Sequence, residues 1–354
     1  MGHKGIDRAH RRPSKQHLRG VCIVALTPLA LGVPCLAQTP DRYIDLCDAS
    51  AAVAIGKTRF VVADDESNVL RVYERAKPTP VARIDLAAYL KSVKPNGKSA
   101  EADIEGAATI GSKIYWISSH ARKSSNAEVD PHRWRFFTTD IIQEAQGPTV
   151  SPGHGAPYDG LLTELLKDGQ RFALLVEAAT KKPEAPGGLN IEGLAATPEG
   201  QLLIGLRNPQ VEGRALVLPL RNPQEVVTGQ QKPVFGDLIH LDLGGRGIRS
   251  MEHVGGRYLI VAGPFGQAVD VPGRASFALF TWNGQAASKP VLDQEIRAGS
   301  FRPEALFHDP HAHELYVLSD DGDEPVDGRE CKDKKVPALR KGFRALSIKL
   351  GLAR

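Results

Sequence analysis

Five times along the chain a small, apolar, strand-like stretch precedes a second apolar strand that ends in polar residues. The second strands are RFVVADD (59–65), KIYWISSH (113–120), LLIGLRNP (202–209), YLIVAGPF (258–265) and ELYVLSDD (314–321). Before them stand ASAAVAIG, DIEGAATIG, NIEGLAATPEG, GIRSMEHVGG and RPEALFHDPHAH, and after them NVLRVYER, RWRFFTTDI, RALVLPL, FALFTWN and FRALSIKL. Short runs rich in β-branched and aromatic residues, bounded by Gly, Pro, Asn and Asp, predict strands joined by tight turns. VARIDL, RFALLVEA, LIHLDL and PVLDQEI supply fourth strands, so the pattern is a four-strand unit repeated five times.

The register supports the repeat. With Ser50, Glu105, Glu192, Arg249 and Glu304 as equivalent positions, the steps are 55, 87, 57 and 55 residues. The long step holds a Pro/Gly-rich insertion, residues 142–170, with one short amphipathic helix in GLLTELLKD. The last unit lacks a fourth strand, and RYIDL (42–46) matches the fourth strands of the first and third units. The expectation is an all-β, five-bladed β-propeller closed by its N-terminal strand, since closure of this kind leaves only short protected edges. Six blades, with residues 142–178 as a degenerate one, is the alternative; a β-sandwich would not keep such a period.

Composition changes this picture at the N-terminus. Residues 1–37 read as a signal peptide, with Lys4, Arg8, Arg11, Arg12, Lys15 and Arg19 ahead of the apolar run VCIVALTPLALGVPCLA. That run is short for a membrane span of about 20 residues, and an uncleaved anchor is the other reading. Residues 38–354 then form one propeller domain, periplasmic or secreted, with no membrane span in the mature chain. The whole chain carries 45 Lys+Arg against 41 Asp+Glu; without the leader the balance is 39 against 40. No nucleic-acid partner is implied, and a monomer is expected. Cys47 and Cys331 survive cleavage, and an oxidising compartment favours their pairing. Cys47 directly follows the closing strand and Cys331 lies in a loop of the same blade, so the bond would lock the two ends of the ring together.

Propeller geometry brings the head of each inner strand and the end of each second strand to one mouth of the central channel. Glu105, Glu192, Arg249 and Glu304 should therefore meet Asp64, Asp65, His120, Arg122, Arg207, Asn208, Asp320 and Asp321. Loops on a rigid scaffold are the usual carriers of function. Glu105, Glu192, Glu304, Asp320 and Asp321 offer oxygen ligands to a divalent cation, calcium or magnesium. Glu105, His120, Arg122, Glu192, Arg207, Asn208, Arg249 and Glu304 form a candidate ligand site for a small anionic ligand or a protein partner, with His120 or Glu192 as candidate acid or base. Charges that merely pair around the ring are the competing reading. HDPHAH (308–313) falls in a turn on the opposite face, and DDGDEP (320–325) lacks EF-hand spacing. No G-x-S-x-G, P-loop or dinucleotide fingerprint is present.

DIEGAATIGSKIYWISSHARK, LNIEGLAATPEGQLLIGLRNP, LDLGGRGIRSMEH and RPEALF…LYVLSDDG together resemble the bacterial domain-of-unknown-function family numbered 3616. The resemblance covers nearly the whole mature chain and implies a propeller-like fold with no settled activity. The E-G-L-A element is also similar to a repeat of phytase-like esterase propellers, which implies a metal-assisted ester or phosphoester hydrolase. Ser50 and Arg249 depart from that pattern, because two of five units lack the acid. Whether the chain is an enzyme stays open, and a non-catalytic binding propeller is the favoured reading.

Overall fold

The computed structural model describes residues 40–94, 96–266, 276–297 and 299–350; the expected signal peptide lies outside them. Blade one comprises Ala49–Ile55, Arg59–Asp64, Ser67–Glu74 and Pro80–Asp85, written from the innermost strand outward. Blade two is Ile104–Ile110, Lys113–Ser118, Phe136–Glu144 and Gly147–Pro152. Blade three is Asn190–Ala196, Leu202–Val211, Arg214–Leu220 and Ile239–Leu241. Blade four is Gly247–Val254, Arg257–Gly263, Phe277–Trp282 and Val291–Ile296. Blade five is Pro303–Asp309, Glu314–Ser319, Gly342–Lys349 and, from the other end of the chain, Asp41–Ile44. Each inner strand contacts the next, and the fifth contacts the first. The result is a closed ring of five antiparallel sheets.

Burial follows the layering. Second strands such as Arg59–Asp64 are buried on both faces, whereas the outer strand Pro80–Asp85 alternates half-buried and exposed positions. Hydrophobic clusters lie between adjacent blades. One joins Trp116 and Phe137 of blade two to Val61 and Val72 of blade one.

The inner strands share an irregularity. In every blade one inner-strand residue is skipped by the pairing with the second strand, and the skipped residues are Ser50, Glu105, Glu192, Arg249 and Glu304. A β-bulge inserts one unpaired residue and re-aims its side chain. The residues that follow are Ala51, Gly106, Gly193, Ser250 and Ala305, all small. The reason is crowding at the axis. A Cβ on Gly193 would lie 2.6 Å from Ile248 Cγ2 and 3.2 Å from Gly205 Cα. Polar contacts between neighbouring inner strands tie them further: Ser50 Oγ donates to the Ile104 carbonyl at 2.6 Å, and Glu252 accepts from the His308 amide at 2.6 Å.

One expected strand is a helix. RFALLVEA was predicted as the fourth strand of blade two, but Ala173–Ala178 is helical and Gly147–Pro152 supplies the strand instead. Gly147, at φ +115°, allows the early return, and no L-residue adopts that backbone readily. Phe172, Leu175 and Ala178 are buried at intervals of three, a helical spacing, and Leu and Ala favour helix. With the expected helix Leu161–Lys167 this segment wedges between blades two and three, against Phe136, Leu206 and Phe235.

Closure is held three ways. Asp41–Ile44 pairs with residues 342–345 of the third strand of blade five. Tyr43 is buried, stacked on Phe343 with centroids 5.4 Å apart and edge-on to Phe60 at 5.1 Å. Cys47 and Cys331 form a disulfide with Cα atoms 5.9 Å apart, as the sequence predicted.

Replacing both cysteines by serine should lower unfolding stability by about 2–4 kcal/mol in urea titrations. Unchanged stability would show that pairing and the aromatic contacts alone close the ring. Gly193→Val should cost at least about 1–3 kcal/mol through overpacking; a thermal midpoint equal to wild type would refute the account of crowding at the axis.

Candidate functional site

The bulged residues define the floor of a cavity of about 920 Å³ at one mouth of the channel. Glu105, Glu192, Arg249 and Glu304 line it; Ser50 does not, its hydroxyl being committed to Ile104. Side chains two residues apart on a strand share a face. Accordingly Asp48, Asp103, Asn190 and Arg302, each two residues before a bulge, also line the cavity. Asp103 sits in the left-handed region at φ +56°, a conformation that Asp tolerates better than most residues. Asp65 and Asp320, each directly after a second strand, and Arg207, within one, also line it.

Among the described residues, twelve carboxylates and seven Lys or Arg side chains line this space, and six of the seven cations already face a carboxylate. Two halves differ. In one, Arg249 lies 3.2 Å from Glu192 and 2.8 Å from Glu304, and Arg207 lies 2.9 Å from Glu192. Asn190 donates to Glu192 at 2.8 Å. Burial alone would lower the Arg249 pKa, but the ring of acids more than reverses that. Burial pushes Glu304 up to about 8 even against the pull of Arg249.

The other half has too few cations. Glu105 is 7% exposed, and no donor among the described residues reaches its buried Oε2. Asp65 Oδ1 is likewise buried without a donor. Burial first, and then Asp103, Glu192 and Glu304, hold Glu105 well above the ordinary carboxylate range. Burial first, and then Glu105, Asp48 and Asp64, do the same to Asp65. Asp103 is raised only to about 6, since burial is offset by Arg133 at 2.9 Å and by Ser119. Asp48 and Asp320 face each other across an antiparallel bridge. Burial and Asp320 push Asp48 up to about 10, while the hydrogen bonds of Asp320 to Asp48 and the Gly322 amide outweigh its own burial.

Among the described residues, oxygens from three residues come within 4.8 Å of one another in three groups, Asp48–Asp64–Asp65, Asp65–Asp103–Glu105 and Glu105–Glu192–Glu304. Such sets suit a hard cation, which binds oxygen.

Several predicted residues stand elsewhere. His120 is buried against Leu161, Leu189 and Phe235, its Nδ1 2.8 Å from the Ser118 carbonyl. Burial lowers its pKa to about 4, so it is neutral and turned from the mouth. Arg122 donates to the Ala179 and Ala127 carbonyls at 2.7 and 2.9 Å, and Asn208 to the Pro183 and Ala185 carbonyls at 2.7 Å each. Both brace the long connections of blades two and three. Asp321 accepts from Arg344 Nε at 2.8 Å, within the closing blade. Asp64 accepts from the Glu66 amide at 2.9 Å. Asp48, Asp103, Arg133 and Lys332 were missed as site residues. The two-residue alternation before each bulge marks Asp48 and Asp103; Arg133 and Lys332 come from long loops with no local pattern.

Residues 48–135 and 154–314 match the sequence family described as protein of unknown function (DUF3616). The chain belongs to this family. No functionally curated protein matches it. Among solved structures it is similar to a Myxococcus xanthus glutaminyl cyclase at 10% identity and TM-score 0.40, covering 89% of this chain and 97% of that one. A PQQ-bound aldose sugar dehydrogenase from Streptomyces coelicolor gives 11% identity and TM-score 0.39, with 88% and 96% covered. The phage phi92 endosialidase gives 8% and 0.42, with 79% and 52% covered. Likeness at this level carries nothing to the site, whose chemistry rests on its own residues. The DUF3616 match spans Asp65, Asp103, Glu105, Glu192, Arg249 and Glu304, and stops before Asp320 and Cys331.

Arg249→Met should cost about 3–5 kcal/mol, because Glu192 and Glu304 lose their buried partner. Adding Glu192→Gln to Arg249→Met should recover part of that loss in a double-mutant cycle. Strict additivity of the two substitutions would show that the pairing carries no energy.

Proposed function

We propose that this member of DUF3616 is an exported, monomeric binding propeller, periplasmic or secreted, whose channel mouth takes a cationic small ligand. One observation carries the reading: Arg249 and Arg207 are consumed by Glu192 and Glu304, while Glu105 and Asp65 each keep a buried oxygen that no donor among the described residues reaches. An uncompensated buried carboxylate is costly, and a bound cation relieves that cost. The arginines expected to grip an anion have little positive charge left to offer. The disulfide supports export, since such bonds persist in oxidising compartments. Among the described residues no helix is long and apolar enough to cross a membrane.

A second reading, metal-assisted hydrolysis of an ester or phosphoester, is favoured by the carboxylate groups beside an open cavity of about 920 Å³. With His120 turned away, the nucleophile in that chemistry would be a metal-bound hydroxide, formed because the ion acidifies its bound water.

Calorimetry with putrescine, spermidine and inorganic phosphate separates the ligand classes. The amines should bind and phosphate should not, and Glu105→Gln should weaken amine binding by on the order of tenfold, about 1.4 kcal/mol. Phosphate binding without amine binding would overturn the reading. Chelator-sensitive cleavage of p-nitrophenyl phosphate would move the assignment to the hydrolase.

A further inference from the structure

Of the three carboxylate groups at the mouth, one differs in what its members already bind. In Glu105–Glu192–Glu304 the buried guanidinium of Arg249 bridges Glu192 and Glu304, so a positive charge is already there. In Asp48–Asp64–Asp65, Asp64 already takes donors from the Glu66 amide, Ser67 Oγ and Arg71. Asp65–Asp103–Glu105 contains Asp65 Oδ1 and Glu105 Oε2, buried oxygens that no donor or cation among the described residues reaches; Glu192 Oε2, also without a hydrogen bond, has Arg249 Nε at 3.2 Å. Glu105 is more than nine-tenths buried and belongs to this group by one of its oxygens. Asp103 is oriented from behind: Ser119 Oγ and Arg133 Nη1 both donate to its Oδ2. Support of that kind is what a metal-binding carboxylate ordinarily has.

From this we infer that a hard divalent cation of the calcium or magnesium type binds between Asp65, Asp103 and Glu105, at the junction of blades one and two. The inference rests on the cation-binding reading of the mouth and departs from the expected set of Glu105, Glu192, Glu304, Asp320 and Asp321. Three carboxylates exceed the charge of one dication, and the adjoining cavity leaves room for water to complete its coordination. All donors are oxygen, which disfavours zinc relative to the hard cations. Asp65 directly follows the second strand of blade one, Asp103 directly precedes the inner strand of blade two and Glu105 lies at its head, so the ion cross-links neighbouring blades. Without it, three acids crowd one another; with it, they become ligands.

The test uses the full chain after EDTA treatment and desalting, titrated with Ca²⁺, Mg²⁺ and Zn²⁺ by calorimetry and followed by thermal midpoint. One hard cation should bind per chain and raise the midpoint. Asp65→Asn and Glu105→Gln should each weaken binding by on the order of tenfold or more, while Glu304→Gln should leave it within about threefold. In EDTA at pH 8 the first two variants should melt above wild type, because each removes a crowded charge; this also shows that they fold. Loss of binding in Glu304→Gln with retention in Asp65→Asn would overturn the assignment, as would binding of Zn²⁺ alone. Binding of putrescine or spermidine without Ca²⁺ or Mg²⁺ would sink this inference and spare the cation reading; binding of none of them would sink both.

Discussion

Five strands meet around one axis, and the charged mouth of this protein follows from how little room they leave. Each inner strand carries an inserted residue at the same position and a small residue directly after it. The small residue lets neighbouring backbones approach, as the 2.6 Å clash of a Cβ on Gly193 shows. The inserted residue escapes the alternation of the sheet and, in every blade but the first, faces the channel mouth instead. Packing at the axis thus dictates where the acids stand. Without the bulge, Glu192 would follow the pleat and compete for core space between blades.

Placing four charged residues and their neighbours so close together sets up an electrostatic problem that the ring solves only on one side. Blades three, four and five contribute Glu192, Arg249 and Glu304, with Arg207, and these neutralise one another. Blades one and two contribute Asp48, Asp65, Asp103 and Glu105, with Arg133 as the near cation. A buried carboxylate with no donor is unfavourable by several kcal/mol unless it takes up a proton or a cation. The raised pKa values of Asp65 and Glu105 express the first route, and ligand binding is the second. Asymmetry among the blades gives an otherwise regular ring one face with unmet charge.

Much of the fold was legible because repeat architecture writes itself into local pattern. Strand alternation and turn residues recur five times, and the bulged position was recognisable from Glu105 and Glu192 before its geometry was known. RYIDL was identifiable as the closing strand by its likeness to other fourth strands, and Cys47 followed from it. RFALLVEA misled because an apolar run of that length fits strand or helix equally; burial of Phe172, Leu175 and Ala178 against blade three decides for helix. His120 misled for a different reason. Its position at a strand end predicted the mouth, but its φ of +53° turns the ring into an apolar seam beneath the two helices.

Sequence by itself determined the class of protein: a closed five-bladed ring, joined by its ends, with acids at the head of its inner strands. These features depend on residues near one another in the chain, or on a period that repeats. Tertiary structure alone decided which charges meet. Arg249 reaches Glu192 and Glu304 across two blade boundaries, whereas Glu105 finds no such partner among the described residues. Coulomb interactions change steeply over a few ångströms, and those distances are set by packing between blades that lie 55 or more residues apart along the chain.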